Sequence, residues 1–139
     1  NFNIEKIFQT IIEKLPESPA YYPKDEFTNK SMRFFVSEII REKIFVNYHQ
    51  EIPYSTEVIV DEYKEEDKII RIRSYIYVSR DSQKAIILGK EGKAIRKTGI
   101  DARKDIEDFV EKKVYLELRV KVAKDWRNDD RQLKWFGYE

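Results

Sequence analysis

Alternating apolar and polar residues from Lys68 to Val78 limit the folds open to this chain more than any other feature. Successive side chains of a β-strand point to opposite faces, so the pattern predicts a strand with one buried and one solvated face. A β-rich run from Tyr54 to Glu62 precedes it across a charged turn at 64–67, and a third alternating run extends from Val114 to Lys124. The sequence therefore predicts three strands of a sheet that is covered on one side.

The side of the second strand that is predicted to face solvent combines arginines with tyrosines. These residues are Arg71, Arg73, Tyr75 and Tyr77. Such a surface can serve as a platform for a nucleic acid. Tyrosines on an open sheet face are also common without any ligand, so both interpretations stay open.

Segments with apolar residues three and four positions apart predict helices around these strands. The predicted helices are Asn3 to Leu15, Ser31 to Tyr48, Ser82 to Leu88, Lys93 to Lys112 and Asn128 to Phe136. Thr28 or Ser31 is expected to cap the second helix, and Asp81 or Ser82 the third, because such side chains accept from unpaired N–H groups. Helices on one side of a three-stranded sheet make a two-layer α+β domain.

A proline-rich stretch at 16–25 is the best candidate for a linker. Pro16 ends the first helix, and Tyr21-Tyr22-Pro23 is expected to be extended. We therefore divide the chain into a connector helix with a Pro/Tyr linker, residues 1–27, and a domain, residues 28–139, that includes the C-terminal helix.

The stretch Gly89-Lys90-Glu91-Gly92 joins an apolar run to the long basic helix that begins near Lys93. Two glycines three residues apart allow another backbone to come close, and the N-terminus of the following helix favours a phosphate. Eight basic and three acidic residues lie between Arg80 and Lys104, although the whole chain has a net charge of only +1. A solvated helix face that is basic by chance would give the same charge, so it is the glycine turn that favours an anionic ligand.

The long helix also carries a glycine in its interior, where glycine costs about 0.5–1 kcal/mol relative to alanine. Gly99 lies on the face that is predicted to be buried, three residues before Ala102. We therefore expect the helix backbone to approach the sheet or the preceding helix closely at Gly99. The other residues predicted to face inward are Ile95, Ile106, Phe109 and Val110.

Several classes of protein are disfavoured by composition. The chain has no cysteine and a single histidine, His49, so neither a disulfide framework nor a histidine–cysteine metal site is expected. No apolar run approaches the roughly 20 residues that span a bilayer, and no signal peptide is visible, so an intracellular protein is the default expectation. No nucleophile with a paired base is recognisable, which argues against catalysis by this chain.

The predicted order α-β-β-α-α-β, with G-x-x-G between the last two helices, resembles the type II KH fold, in which this turn grips a nucleic-acid backbone. Further motifs resemble the C-terminal half of the Era family of bacterial GTPases. These motifs are Tyr21-Tyr22-Pro23, Arg33-Phe34, Glu38 to Lys43, Ile87 to Gly92, Ile95, Gly99 to Arg103, Val114 to Leu118, Trp126, Asp129, Leu133 and Gly137-Tyr138. The resemblance extends over essentially all 139 residues.

The resemblance implies an RNA-binding module for the single-stranded 3′ end of 16S-type small-subunit ribosomal RNA, acting in ribosome assembly. Gly89 to Gly92 match the RNA-clamping loop, and Glu91 places a negative charge inside it. Ile86, Ile87, Leu88 and Ile95 match the apolar walls of a groove for bases, expected between the short helix and the neighbouring strand. The basic residues expected to lie around the loop, most of them neutralising phosphates, are Lys84, Lys90, Lys93, Arg96 and Lys97.

The resemblance also implies a longer parent protein. GTP and Mg would be bound by a GTPase domain upstream of Asn1, joined in cis to the present chain, in which no G-x-x-x-x-G-K-[ST] motif occurs. The chain itself is then not an enzyme and holds neither cofactor nor metal. The implied partner is the small ribosomal subunit, and the implied location is the cytoplasm, with peripheral association at the inner face of the cell membrane.

A different class of function remains as the alternative. A KH-like protein-interaction domain would dock a GTPase or a ribosomal protein through the helix from Asn3 to Leu15 and the two linker tyrosines. Ionic strength distinguishes the two, because binding to RNA weakens steeply with salt and an apolar interface hardly responds.

Overall fold

The computed structural model describes residues 3–17, 28 and 30–138, and over these residues the predicted order of elements is confirmed. The elements are α1 (Ile4–Lys14), α2 (Met32–Asn47), β1 (Thr56–Glu65), β2 (Ile70–Val78), α3 (Asp81–Leu88), α4 (Lys93–Val110), β3 (Val114–Val122) and α5 (Asp130–Phe136). The predicted linker residues Tyr21-Tyr22-Pro23 lie outside the described residues. The division of the chain at residue 27 therefore stays a prediction.

The three strands form one mixed sheet in the order β1-β2-β3. β1 and β2 are antiparallel, with Thr56 opposite Val78, and the register shifts by a bulge between Val60 and Glu62. β2 and β3 are parallel, with Ile70 opposite Val114. A parallel pair needs a long crossover, and α3 and α4 supply it, which leaves β3 at one edge of the sheet.

The main core lies between the sheet and three helices. The alternating apolar residues of β2 face α2, α3 and α4, as the sequence pattern predicts. Side chains that are at most 1% exposed form its centre: Val36, Ile40, Ile44, Ile72, Ile76, Val78, Ile87, Ala102 and Ile106. Burial of such branched aliphatic side chains, each worth about 1.5–3 kcal/mol, is the main stabilisation of the fold.

The opposite face of the sheet is only partly open, which corrects one expectation. Tyr77, predicted to face solvent, is 8% exposed because Trp126 and Phe136 pack against it. After β3 the chain continues past Ala123, whose N–H donates to the carbonyl of Val78, and α5 then lies across this end of the sheet. The part of the face near Tyr115 remains exposed.

Helix capping follows the prediction for α2 and departs from it for α3. Ser31 is the N-cap of α2, and its hydroxyl accepts from the N–H of Phe34. At α3 neither Asp81 nor Ser82 is the cap. Instead the side-chain oxygen of Gln83 accepts from the N–H groups of Ser79 and Arg80, at 3.0 and 3.1 Å, because Gln83 is the position of the first turn that faces the core.

The buried stripe of α4 is narrower than predicted. Thr98, Ala102 and Ile106 are fully buried, as a four-residue spacing requires, whereas Phe109 is 47% exposed. Phe109 contacts the ring of Phe35 with centroids 5.4 Å apart, at the outer edge of the α2–α4 contact. The helical periodicity of the sequence alone predicted that Phe109 is buried.

The helix α1 is amphipathic, as expected from Ile4, Ile7, Phe8, Ile11 and Ile12. Each of these side chains is between 48% and 58% exposed. Among the described residues no helix combines the length and the hydropathy that crossing a bilayer requires.

A hydrogen bond at the C-terminus gives the first testable prediction. The hydroxyl of Tyr138 donates to a carboxylate oxygen of Glu57 at 2.6 Å. Burial, followed by the bond to Glu57 and its negative charge, raises the pKa of Tyr138 to about 12. Burial also raises the pKa of the Glu57 carboxyl.

Tyr138→Phe should lower the free energy of unfolding by about 0.5–1 kcal/mol near neutral pH, since Tyr138 is partly exposed. A tyrosine pKa that is raised on folding adds stability below its unfolded value of 10 and loses it as the pH rises towards about 12. Urea unfolding of the parent and the variant should therefore give a difference that shrinks across this interval. A difference that stays constant would contradict the assignment.

Candidate functional site

The turn between α3 and α4 has three residues with positive φ, namely Gly89, Glu91 at 54° and Gly92, and glycine adopts this region most easily. Gly89 has φ 67° and ψ 179°, and Gly92 has φ 74°. A Cβ atom at Gly89 would lie 2.6 Å from the Cβ of Ala94, whereas a Cβ at Gly92 would meet nothing within 4 Å. Gly89 is thus required by both backbone conformation and space, and Gly92 by conformation alone.

A groove of about 400 Å³ starts at this turn and runs between α4 and the edge strand β3. Its lining residues are Gly92, Ile95, Arg96, Gly99, Ile100, Arg103, Leu116 and Leu118. The volume is within the range of ligand-binding clefts. Apolar side chains with two arginines alongside suit a ligand that has flat apolar parts and negative charges.

The apolar residues predicted as groove walls do not all lie together. Ile95 lines the groove, whereas Ile86 is 50% exposed on α3 and Leu88 is half-buried. Ile87 is completely buried in the main core, so its side chain does not form the wall expected of it. The groove described here lies between α4 and β3. Binding of bases beside the short helix α3 stays a prediction.

The predicted basic residues also divide into two groups. Arg96 lines the groove, and Lys90 and Lys93 are exposed at the turn. Glu91 is exposed too, as expected for a side chain that points outward, and it lies 3.3 Å from Lys93. The half-buried Lys84 belongs to α3 and is absent from the groove lining.

Lys97 faces a different neighbour. Its ammonium group donates to Asp101 at 3.0 Å and contacts the side-chain oxygen of Asn47 at the end of α2. Hydrogen bonds from Lys97 and Asn47 lower the pKa of the Asp101 carboxyl. Lys97 is therefore turned away from the groove, and Arg103, which the sequence did not single out as a site residue, lies in it instead.

Gly99 contributes to the groove and not to the core. A Cβ at this position would lie 3.5 Å from a methyl group of Leu118, which is an ordinary contact. The expected crowding is therefore absent, and the missing side chain leaves room in the groove. The other residues that were missed are Ile100, Leu116 and Leu118. A second helical stripe from Gly92 through Arg96 and Gly99 to Arg103, beside the buried stripe, was the signal for Arg103. Leu116 and Leu118 lie on β3, and the strand pattern alone does not show that they border a groove.

No group of three or more His, Cys, Asp or Glu side chains that could hold a metal ion occurs among the described residues. The groove and the glycine turn together offer N–H groups at a helix start, an apolar floor and guanidinium groups. This arrangement binds an extended polyanion with flat apolar groups, and single-stranded nucleic acid is such a ligand.

Comparison with known families agrees with this geometry. A family model described as KH domain matches residues 51–127, which include the glycine turn, α4 and β3. The chain belongs to the KH domain family.

The individual proteins that the chain resembles define its kind more narrowly than the family model does. The chain is 52% identical over 136 residues to the maize protein "GTPase ERA1, chloroplastic", with 97% of this chain and 33% of the relative covered. It is 47% identical to "GTPase Era" of Geobacter sp. (strain M21), with 98% of this chain and 46% of the relative covered. The chain thus spans between a third and just under a half of these proteins.

Solved structures of Era proteins also resemble this chain. The structure of Aquifex aeolicus Era bound to GDP.AlF4- superposes with a TM-score of 0.89 at 36% identity, covering 98% of this chain and 46% of that one. A structure of Era in complex with MgGDPNP and nucleotides 1506-1542 of 16S ribosomal RNA gives 0.90 with the same identity and coverage. The chain corresponds to the KH portion of Era GTPases, as its sequence motifs predicted, and the GTPase domain is not part of it.

The three glycines of this region should respond differently to alanine. Gly89→Ala should destabilise the protein by about 2–5 kcal/mol through strain and overlap with Ala94. Gly92→Ala should cost about 1–2 kcal/mol through its left-handed backbone alone. Gly99→Ala should raise the free energy of unfolding by about 0.5–1 kcal/mol, because alanine favours the helix and fits against Leu118.

Urea unfolding of the three variants tests this order. A double variant with Gly89→Ala and Ala94→Gly is the control, and it should recover the part of the loss that comes from overlap. Equal losses at Gly89 and Gly92 would show that the turn relaxes around the added methyl group.

Proposed function

We propose that this chain is the RNA-binding module of an Era-like GTPase. It binds the single-stranded 3′ end of small-subunit ribosomal RNA during assembly of the small subunit. The observation that carries the proposal is the apolar groove between α4 and β3, which begins at the glycine turn and has arginines in its lining.

The chemistry of the groove assigns a role to each part. The RNA backbone crosses Gly89 to Gly92, where no side chain obstructs it at the glycines and the first N–H groups of α4 favour a phosphate. Unstacked bases lie on Ile95, Leu116 and Leu118. Arg96 and Arg103 contact phosphates or stack on base faces.

A relative supports the choice of RNA. The Era structure with a TM-score of 0.90 was solved in complex with nucleotides 1506-1542 of 16S ribosomal RNA. At 36% identity over 98% of the present chain, a shared ligand class is a reasonable inference.

The remaining properties belong to the longer parent protein. Its GTPase domain, joined in cis, would bind GTP and Mg, and its partner would be the small ribosomal subunit. It would act where that subunit is assembled, in the cytoplasm as the family resemblance implies, while three plant relatives are named chloroplastic. Peripheral association with the cell membrane stays an expectation from the family resemblance.

One observation favours a second function. The apolar side chains of α1 are about half exposed, and they could cover part of a GTPase or a ribosomal protein. This contact would be insensitive to salt, and it would leave the groove between α4 and β3 without a role.

Reversing the charge of the glycine turn tests the proposed clamp. Lys90→Asp combined with Glu91→Asp should weaken binding of a single-stranded 3′-end oligonucleotide at least about tenfold, because a carboxylate replaces the ammonium group of Lys90 beside the bound phosphate. Circular dichroism should be unchanged, since both side chains are exposed. Undiminished binding would remove the turn from the site.

The matched control is Lys68→Asp, which changes the net charge equally. Lys68 lies in the β1–β2 turn, two residues before Ile70, whose N–H donates to the carbonyl of Lys113 beyond the C-terminal end of α4. The two ends of this 18-residue helix are about 27 Å apart. Binding should be nearly unaffected by this control.

Salt dependence tests which cations contact the RNA. If Lys90, Lys93, Arg96 and Arg103 each neutralise one phosphate, log affinity should fall with log salt at a slope of about −3. Arg103→Gln should flatten the slope by about 0.7, whereas Lys97→Gln should leave it unchanged, because Lys97 is held by Asp101. A parent slope near zero, or equal affinity for fully paired RNA, would favour the protein-docking alternative.

A further inference from the structure

Two buried hydroxyl groups connect the helices on either side of the glycine turn. Tyr48, at the end of α2, is 6% exposed, and Thr98, in the second turn of α4, is fully buried. Their oxygens are 3.2 Å apart, and the hydroxyl of Tyr48 donates to the carbonyl of Ile87 at 2.8 Å. Ile87 lies two residues before Gly89, so the contact joins α3 to α4 through a residue of α2.

The direction of these hydrogen bonds follows from the number of protons. Tyr48 has one hydroxyl proton, which it donates to Ile87, so its oxygen can only accept from Thr98. The Thr98 hydroxyl also has one proton, which it shares between the Tyr48 oxygen and the carbonyl of Ala94, both 3.2 Å away. The side-chain amide of Asn47 lies 3.5 Å from the Thr98 oxygen and can donate to it. Burial raises the pKa of Tyr48, which keeps the hydroxyl protonated and able to donate. The result is a hydrogen-bonded chain that joins Asn47, Thr98 and Tyr48 to the carbonyl of Ile87.

The carbonyl at the end of this chain needs a partner from elsewhere. The last carbonyls of a helix have no intrahelical N–H, and the backbone at Gly89 leaves the helical path immediately after α3. Ile87 is fully buried, so water does not reach its carbonyl and does not supply the missing donor. Tyr48 therefore caps α3 from α2.

We propose that Tyr48 and Thr98 are positioning residues that hold the ends of α3 and α4 at a fixed separation, and so set the shape of the Gly89–Gly92 clamp. Neither residue is among those that line the groove. Their influence on RNA passes through the backbone of the turn. The inference rests on the proposed function of the turn for its effect on RNA, but its effect on the turn itself is independent of any ligand.

Three substitutions test this pair. Tyr48→Phe keeps the ring and removes the donor to Ile87, Thr98→Val keeps the shape and removes the hydroxyl, and Thr98→Ser keeps the hydroxyl. The matched control is Ser74→Ala, because the hydroxyl of Ser74 is also fully buried and has no hydrogen-bond partner among the described residues.

Two measurements are made on each variant. The first is affinity for a single-stranded RNA oligonucleotide with the 3′-end sequence of small-subunit ribosomal RNA. The second is hydrogen exchange at the amides of Gly89 and Gly92, which donate to the carbonyls of Ala85 and Gly89 at 2.9 and 3.2 Å. Exchange at β2 amides reports global unfolding in the same experiment.

Tyr48→Phe and Thr98→Val should each weaken RNA binding about fivefold, the equivalent of about 1 kcal/mol. Exchange at Gly89 and Gly92 should accelerate more than exchange in β2. Thr98→Ser should restore parent values in both measurements, and Ser74→Ala should leave both unchanged.

Uniform acceleration at all amides, with parent RNA affinity, would overturn the proposal and leave the pair with a purely stabilising role. If Tyr48→Phe does not fold, the comparison of Thr98→Val with Thr98→Ser decides. If the parent protein itself does not bind the oligonucleotide, the proposed function fails, and exchange at the two glycines still decides whether the pair holds the turn.

Discussion

The packing of α4 against the sheet is the constraint on which the rest of this structure depends. One stripe of the helix, Thr98, Ala102 and Ile106, is fully buried under the sheet and α2. The neighbouring stripe, from Gly92 to Arg103, is thereby held beside Leu116 and Leu118 at the edge strand. Burial of the first stripe thus fixes the width of the groove that the second stripe lines. A rigid helix of 18 residues carries both the core and the site, which keeps the site on a regular element and not on a loop.

The three glycines of this region differ in the space around them and in their backbone conformation. Gly89 has no room for a side chain, Gly92 has room but an unfavourable backbone for one, and Gly99 has both room and a helical backbone. The first two glycines therefore shape the turn, whereas the third leaves space in the groove. The same residue type thus serves two different physical purposes within eleven residues.

Ion pairs, more than the composition of the segment, decide which basic side chains of α4 lie in the groove. The segment from Arg80 to Lys104 is basic, yet Lys97 is held by Asp101 on the α2 side. Arg96 and Arg103 lie in the groove lining. Such pairing leaves the positive potential concentrated along the groove, where it acts on a ligand that lies between α4 and β3.

The sequence by itself determined the order of the elements, the buried face of β2 and the position of the glycine turn, because each depends on a local period or on backbone conformation. The motifs also identified the KH portion of Era GTPases. The tertiary structure decided what no local pattern contains. It buried Tyr77 under α5, because contacts between residues nearly sixty positions apart leave no periodic signal. It placed Ile87 in the core and Ile95 in a groove beside β3, because the side of a helix that meets a neighbour depends on where that neighbour packs. It likewise directed Lys97 towards Asn47 and left Arg103 in the groove, since pairing partners on other helices are set only by the packed fold.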